Sequence, residues 1–210
     1  MKAIVIGATG LVGSELLRHL SNDTRFREII TFSKREPLVK SGKITSYIID
    51  FDKPKEWENL VVGDVLFSTL GTTIKQAKTK ENQYKIDFTY NYEFAKIAQK
   101  NGVKSYVLVS SMGADAKSKF FYTRIKGELD NAVLKLDFKK IRILRPSGIV
   151  GVREKSRFGE EIMVRVIRFL NFFGILKSLK PIDAKILSLS MINSLKGDEK
   201  VKILTKDECF

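Results

Sequence analysis

The chain carries one cysteine and one histidine among its 210 residues. Cys209 has no second cysteine to pair with inside the chain, and His19 has no neighbours with which to assemble a metal cluster, so metal chemistry and Cys/His nucleophilic catalysis are not expected. Long apolar runs are also missing. The opening MKAIVIGATG is too short a hydrophobic segment for a signal peptide, and the most apolar later stretch, residues 162–176, is interrupted by Arg165, Arg168 and Asn171. These absences lead to the expectation of a cytoplasmic protein. Repeats, low-complexity tracts and Pro/Gly-rich linkers are absent as well, and a 43% hydrophobic chain of this length suits one domain over residues 1–210. The formal charge of +14 comes with no helix-turn-helix, zinc-finger or RNA-recognition signature. Its lysines are scattered over polar loops and helix ends, the pattern of a solvated surface rather than of a nucleic-acid interface.

Short apolar runs, by contrast, recur along the chain: KAIVIG, REIITFS, ITSYIID, DVLFSTL, KSYVLVSS, KIRILRPSG and KVKILT. They are rich in Ile and Val and apolar on both faces, as buried strands of a parallel sheet are. GSELLRHLSND, NYEFAKIAQKNG and YTRIKGELDNAVLKL lie between them and read as helices. The alternation predicts an α/β fold, a doubly wound Rossmann-like parallel sheet with helices on both faces. A short C-terminal substrate-side segment, residues 151–200, would complete it. Within that segment EEIMVRVIRFLNFFGILKSLK (160–180) reads as a helix apolar around most of its circumference. It could pack on the sheet or on a partner subunit, and its Arg165, Arg168, Lys177 and Lys180 beside Phe169, Phe172 and Phe173 also fit peripheral contact of 162–180 with an anionic membrane.

GATGLVG follows the first predicted strand directly, placing Gly7, Gly10 and Gly13 before a helix. In that context a tight turn, close phosphate approach and helix–strand packing each call for glycine, and the helix N-terminus favours a pyrophosphate. The end of the second strand normally reads the adenosine ribose. There TFSKREP offers Ser33, Lys34 and Arg35, and a guanidinium fork with an ammonium suits a 2′-phosphate better than a hydroxyl; this points to NADP, with Glu36 keeping NAD open.

Two Tyr-x-x-x-Lys pairs are present, Tyr92/Lys96 and Tyr122/Lys126, each placing both side chains on one helical face. Spacing alone does not choose between them. GATGLVGSELL, STLGTTIKQA (68–77), VLVSSMGAD (107–115), FYTRIKGELD and LRPSGIVGVREKSRFGE (144–160), taken in order, resemble the atypical division of the short-chain dehydrogenase/reductases, most nearly the Tat-interacting-protein-like group of NADP-binding oxidoreductases. The resemblance implies that Gly7, Thr9, Gly10, Leu11 and Val12 line the pyrophosphate and that Ser33, Lys34 and Arg35 hold the 2′-phosphate. It also implies that Asp50 and Phe51 edge the adenine, positions that would otherwise read as a turn cap and core packing. Leu70 and Gly71 would run beside the cofactor.

For catalysis the resemblance implies a serine ending the fifth strand, Ser111 with Ser110 as the alternate, and Tyr122 and Lys126 from the next helix, Lys126 also gripping the nicotinamide ribose. Tyr92 and Lys96 precede that strand and read as structural. In general a nearby ammonium favours the phenolate form of a tyrosine, which suits Tyr122 to general acid/base work. The activity implied is NADP-dependent hydride transfer to or from a small carbonyl or alcohol substrate. The alternative is a non-enzymatic NADP(H)-binding regulator acting through a protein partner.

Overall fold

The structure, a computed structural model, describes residues 1–151 and 181–209. The helix expected at 160–180 and the membrane contact expected at 162–180 lie outside the described residues. The strands are β1 (Lys2–Ile6), β2 (Glu28–Ser33), β3 (Ile44–Ile48), β4 (Val65–Ser68), β5 (Ser105–Val109), β6 (Lys140–Arg145), β7 (Ile149–Val150), β8 (Ile182–Asp183) and β9 (Val201–Thr205). All seven apolar runs become strands of one sheet in the order β3-β2-β1-β4-β5-β6-β9, parallel throughout; β7 and β8 form a separate parallel pair. The predicted doubly wound Rossmann-like architecture is therefore present.

Side chains of successive strand residues point to opposite faces, so the sheet feeds two cores. From β1, Ala3 and Val5 join one core and Ile4 and Ile6 the other. The first core is closed by α1 (Leu11–Asn22) and the last described α-helix, α6 (Ala184–Asn193), through Leu16, Leu17 and Leu20 against Leu187 and Met191. The second is closed by α4 (Tyr90–Lys100) and α5 (Phe121–Val133), with Phe94, Leu129 and Val133 meeting Phe32, Trp57 and Tyr106. Each of these fully buried apolar side chains contributes about 1.5–3 kcal/mol relative to exposure. The edge strands depart from the expectation of burial on both faces: β3 is half-buried and β9 buries only Leu204, since each has one sheet neighbour and less cover.

Between β4 and α4 the chain forms two short helices, α2 (Ile74–Ala77) and α3 (Lys80–Tyr84), capped by the Thr73 and Thr79 hydroxyls accepting from the Gln76 and Asn82 amides. A side-chain oxygen that accepts a free first-turn amide is what lets so short a helix begin. α3 runs into α4 through a π-helical turn, Lys85–Thr89.

Candidate active site

The strand order reverses direction between β1 and β4, and in a sheet of this kind the strands' carboxyl ends open a crevice at that point. One wall is the glycine turn. Gly7 has φ +80°, and a Cβ there would lie 2.5 Å from the backbone of Thr69 and Leu70, so the turn must pack bare against the residues leaving β4. The Gly10 amide donates to the Gly7 carbonyl at 2.9 Å, and Gly10 serves as N-cap of α1 with no side-chain cap and no acid in the first turn. The first amides of α1, among them those of Leu11 and Val12, thus keep donors that the helix itself cannot use. Thr9 lies half-buried on the same turn.

At the neighbouring strand ends, Ser33 is buried and its hydroxyl donates to the Arg35 carbonyl at 2.7 Å, folding the loop back so that Lys34 and Arg35 stand exposed. Lys34 Nζ lies 5.4 Å from the Tyr90 ring centroid. Glu36, the residue that kept NAD open, is held in an ion pair with Lys40 at 2.7 Å. Asp50 is exposed, its carboxylate accepting from the Asp52 amide and its carbonyl from Trp57 Nε1. The Phe51 side chain is buried against Tyr90, ring centroids 5.1 Å apart, so what it presents at the strand end is backbone.

The other wall is polar and buried. Lys126, on α5, is 3% exposed, and its Nζ forms an ion pair of 2.9 Å with Asp87 Oδ1. Asp87 sits in the π-helical turn, and its second oxygen accepts from the Thr72 amide at 3.1 Å. Gly71 lies against this pair: a Cβ on it would come 3.1 Å from Asp87 Oδ1 and 3.6 Å from Lys126 Nζ. Asn91 locks the arrangement. Its side-chain amide donates to the carbonyls of Leu70 (3.3 Å), Ile86 (2.9 Å) and Asp87 (3.3 Å), and its carbonyl accepts from the Ser68 hydroxyl. A π turn leaves backbone carbonyls off the usual ladder, and here Asn91 satisfies them.

Burial works to lower the pKa of the Lys126 ammonium, but the Asp87 carboxylate, with smaller contributions from Tyr122 and Asp130, overrides it and the net shift is upward. Asp130, one turn further along α5, is fully buried and pairs with Arg145 at 2.9 Å; burial raises its carboxyl pKa, and Ser110, Arg145 and Lys126 oppose the rise without cancelling it.

Tyr122 is 37% exposed, and its ring centroid is 5.9 Å from Lys126 Nζ. Of the two serines after β5, Ser110 is buried towards Asp130, whereas Ser111 is half-buried with its hydroxyl donating to the Met112 carbonyl at 3.2 Å. Their loop passes close over α5 at Gly127, where a Cβ would fall 2.2 Å from the backbone of Asp115 and Ala116. Tyr92 and Lys96 lie elsewhere on the surface of α4, Lys96 paired with Glu93 at 3.2 Å. The structure thus gathers the glycine turn, Leu70, Gly71 and Lys126 around one crevice. Asp87 and Asn91 escaped the sequence reading; their one local signal is an acid and an amide at helical spacing inside the aromatic stretch KIDFTYNY.

A family model, HIM1, matches residues 36–173, more than half of the chain. The chain belongs to the HIM1 family. The matched span includes Gly71, Asp87, Tyr122 and Lys126 and leaves the glycine turn outside it. A relative from Scheffersomyces stipitis, "Protein FMP52-1, mitochondrial", is 37% identical over 212 residues, covering 96% of this HIM1-family chain and 93% of its own length. Among solved structures, a short-chain dehydrogenase/reductase superfamily protein from Agrobacterium tumefaciens with bound NAD superposes with TM-score 0.73 at 14% identity, covering 97% of this chain and 77% of that one. The oxidoreductase ylbE from Lactococcus lactis gives 0.70 at 17% identity, with 98% and 90% covered. The short-chain dehydrogenase/reductase-like fold is therefore shared, while the family match is to HIM1. The expected cytoplasmic placement does not stand: the Scheffersomyces relative and others like it are named as mitochondrial proteins. A search for an apolar run tests only one route of targeting and was too weak a sign.

Proposed function

We propose that this HIM1-family protein is a mitochondrial NADP-dependent oxidoreductase that interconverts a small carbonyl compound and its alcohol. The observation that carries the reading is the placement of Lys126. On an ordinary helix surface the lysine is solvated and the tyrosine half-buried; here Lys126 is buried in an ion pair beside Gly71, and Tyr122 is the exposed member. Burying the ammonium carries a desolvation cost that the Asp87 carboxylate offsets, and a buried charge pair beside a cofactor-type turn is the kind of feature that marks a functional site.

The residues present fit a dinucleotide phosphate. The uncapped first turn of α1 and the bare backbone at Gly10, where a Cβ would meet only the Gly7 carbonyl, offer amide donors to a pyrophosphate. Lys34 and Arg35, exposed and unopposed by Glu36, suit the 2′-phosphate. Asp50 and the backbone at Phe51 lie at the adenine end, and Leu70, Gly71 and Lys126 at the nicotinamide end. When bound, the dinucleotide supplies or accepts hydride. Tyr122 then delivers a proton to the carbonyl oxygen and is reprotonated from solvent at its exposed edge, or in the reverse direction removes one from the alcohol as the phenolate and releases it there. Ser111, half-buried where Ser110 is turned inward, hydrogen-bonds the substrate oxygen. Lys126 holds the ribose. The motif resemblance to the Tat-interacting-protein-like group supports the same assignment of roles.

The test is turnover of a panel of small aldehydes, ketones and alcohols with NADPH or NADP, using Tyr122→Phe as control. The reading expects nucleotide-dependent turnover of at least one compound that the variant abolishes while keeping NADPH affinity within about twofold. Turnover that survives in the variant would remove the tyrosine from the mechanism.

A further inference from the structure

We infer that Asp87 is a positioning residue of the site, which holds Lys126 at the crevice and ties the helix bearing Tyr122 to the Leu70–Thr72 turn. The inference rests on the oxidoreductase reading for what Lys126 does, but not for where it is held.

Three observations converge on Asp87. It is fully buried, and each of its oxygens has a separate task, Oδ1 pairing with Lys126 and Oδ2 accepting from the Thr72 amide. One carboxylate therefore joins α5 to the turn after β4, segments more than fifty residues apart in sequence. The turn it holds is the one whose Gly71 packs directly on the ion pair, where a Cβ would come 3.1 Å from Asp87 Oδ1. Its own backbone sits in the π turn, and the carbonyl freed there is taken by Asn91, which also bonds Leu70. A regular α-helix through Lys85–Thr89 would rotate Asp87 relative to Asn91, since the extra residue of a π turn shifts the register of everything before it. The local irregularity and the buried carboxylate thus serve one geometry.

The groups that face Lys126 from packed elements are Asp87 from the π turn, and Tyr122 and Asp130 from its own helix. Asp130 is already engaged by Arg145. Asp87 is consequently the counter-charge that keeps the ammonium protonated in a buried site, and an ammonium is what a ribose hydroxyl needs as donor. Removing that charge while preserving shape, as in Asp87→Asn, leaves burial opposed only by the smaller contributions of Tyr122 and Asp130. The lysine should then lose its proton at a lower pH than in the native protein.

The decisive experiment follows the Cε resonance of Lys126 in lysine-labelled protein across pH, in the native chain and in Asp87→Asn, assigned with Lys126→Met, and measures NADPH affinity over the same range. The inference expects the Lys126 titration to move to lower pH in Asp87→Asn. NADPH binding should weaken about tenfold on the alkaline side of that titration and less than about threefold well below it, the scale of one hydrogen bond to a charged group. Asp87→Glu should restore part of the native profile. An unchanged Lys126 titration, or NADPH affinity lowered equally at every pH, would overturn the positioning role.

Should Asp87→Asn fail to fold, the double variant Asp87→Asn/Lys126→Met removes both charges and is expected to fold. Native NADPH affinity in that double variant would also overturn the inference. If native protein binds no dinucleotide at all, the oxidoreductase reading fails, while the Lys126 resonance still tests whether Asp87 governs the lysine.

Discussion

Tyr92/Lys96 and Tyr122/Lys126 share a spacing, a helical setting and nearly the same local geometry, with ammonium-to-ring distances of 5.5 Å and 5.9 Å. They differ in what surrounds them. Lys96 pairs with Glu93 at 3.2 Å with both side chains about half exposed, whereas Lys126 pairs with Asp87 with both almost wholly buried. The first pair can exchange its partner for water at little cost. The second cannot, and it lies against Gly71 instead of open solvent. A four-residue spacing specifies only that two side chains share a helical face; chemistry requires a neighbour that the spacing does not encode.

Activity should separate the pairs most widely. Tyr122→Phe is expected to lower turnover by roughly 10²–10⁴, the usual worth of general acid catalysis, and Tyr92→Phe to leave it within about twofold, measured in parallel steady-state assays. Stability comes next. Lys126→Met leaves the Asp87 carboxylate buried and unpaired and should cost about 3–5 kcal/mol in urea unfolding, against at most about 1 kcal/mol for Lys96→Met at its exposed pair.

A pH series sharpens the same contrast. The folded pKa of Lys126 is raised, so its charge contributes stability that is complete below the unfolded lysine value and is lost as pH rises through the folded one. Unfolding free energy compared between native protein and the double variant Asp87→Asn/Lys126→Met should therefore stay parallel from neutral pH to the unfolded lysine range and converge at higher pH. A further contrast lies at the other end of the crevice. Removing the charges of Lys34 and Arg35 together should weaken NADPH by about 10- to 100-fold, the scale of charge-assisted bonds, and NADH by less than about threefold.

Much of the fold was legible in the sequence because its signals are local. Seven apolar runs rich in β-branched residues became the seven strands of one sheet, and the glycine turn stands between β1 and α1, as strand–turn–helix context demands. α2 and α3 escaped, although Thr73 with Gln76 and Thr79 with Asn82 carry the capping signal; helices of four and five residues are too short to show an apolar period. α6 escaped for a different reason, since AKILSLSMIN is apolar on most sides and reads as helix or strand alike. The edge strands β3 and β9 show the limit of composition, because burial depends on a strand's place in the sheet.

The candidate site divides in the same way. Residues tied to a local motif, Gly7, Gly10, Lys34 and Arg35, could be named as candidates from the chain alone, and Lys126 only through the family resemblance; the structure brings the glycine turn, Gly71 and Lys126 together. Asp87 could not be named, because its role depends on a partner thirty-nine positions away and on a π turn that no propensity announces. Ser110 and Ser111 differ by the register of a strand end, and only the fold shows that one hydroxyl turns inward and the other does not.

Equilibrium titration of NADPH into the native protein, Lys126→Met and Lys96→Met at neutral pH decides whether Lys126 belongs to a nucleotide site and Lys96 does not. Expected are binding to the native protein, affinity lower by about tenfold in Lys126→Met, the worth of a hydrogen bond from a charged donor, and native affinity in Lys96→Met. Equal affinity in all three proteins, or no binding to any, would contradict that assignment.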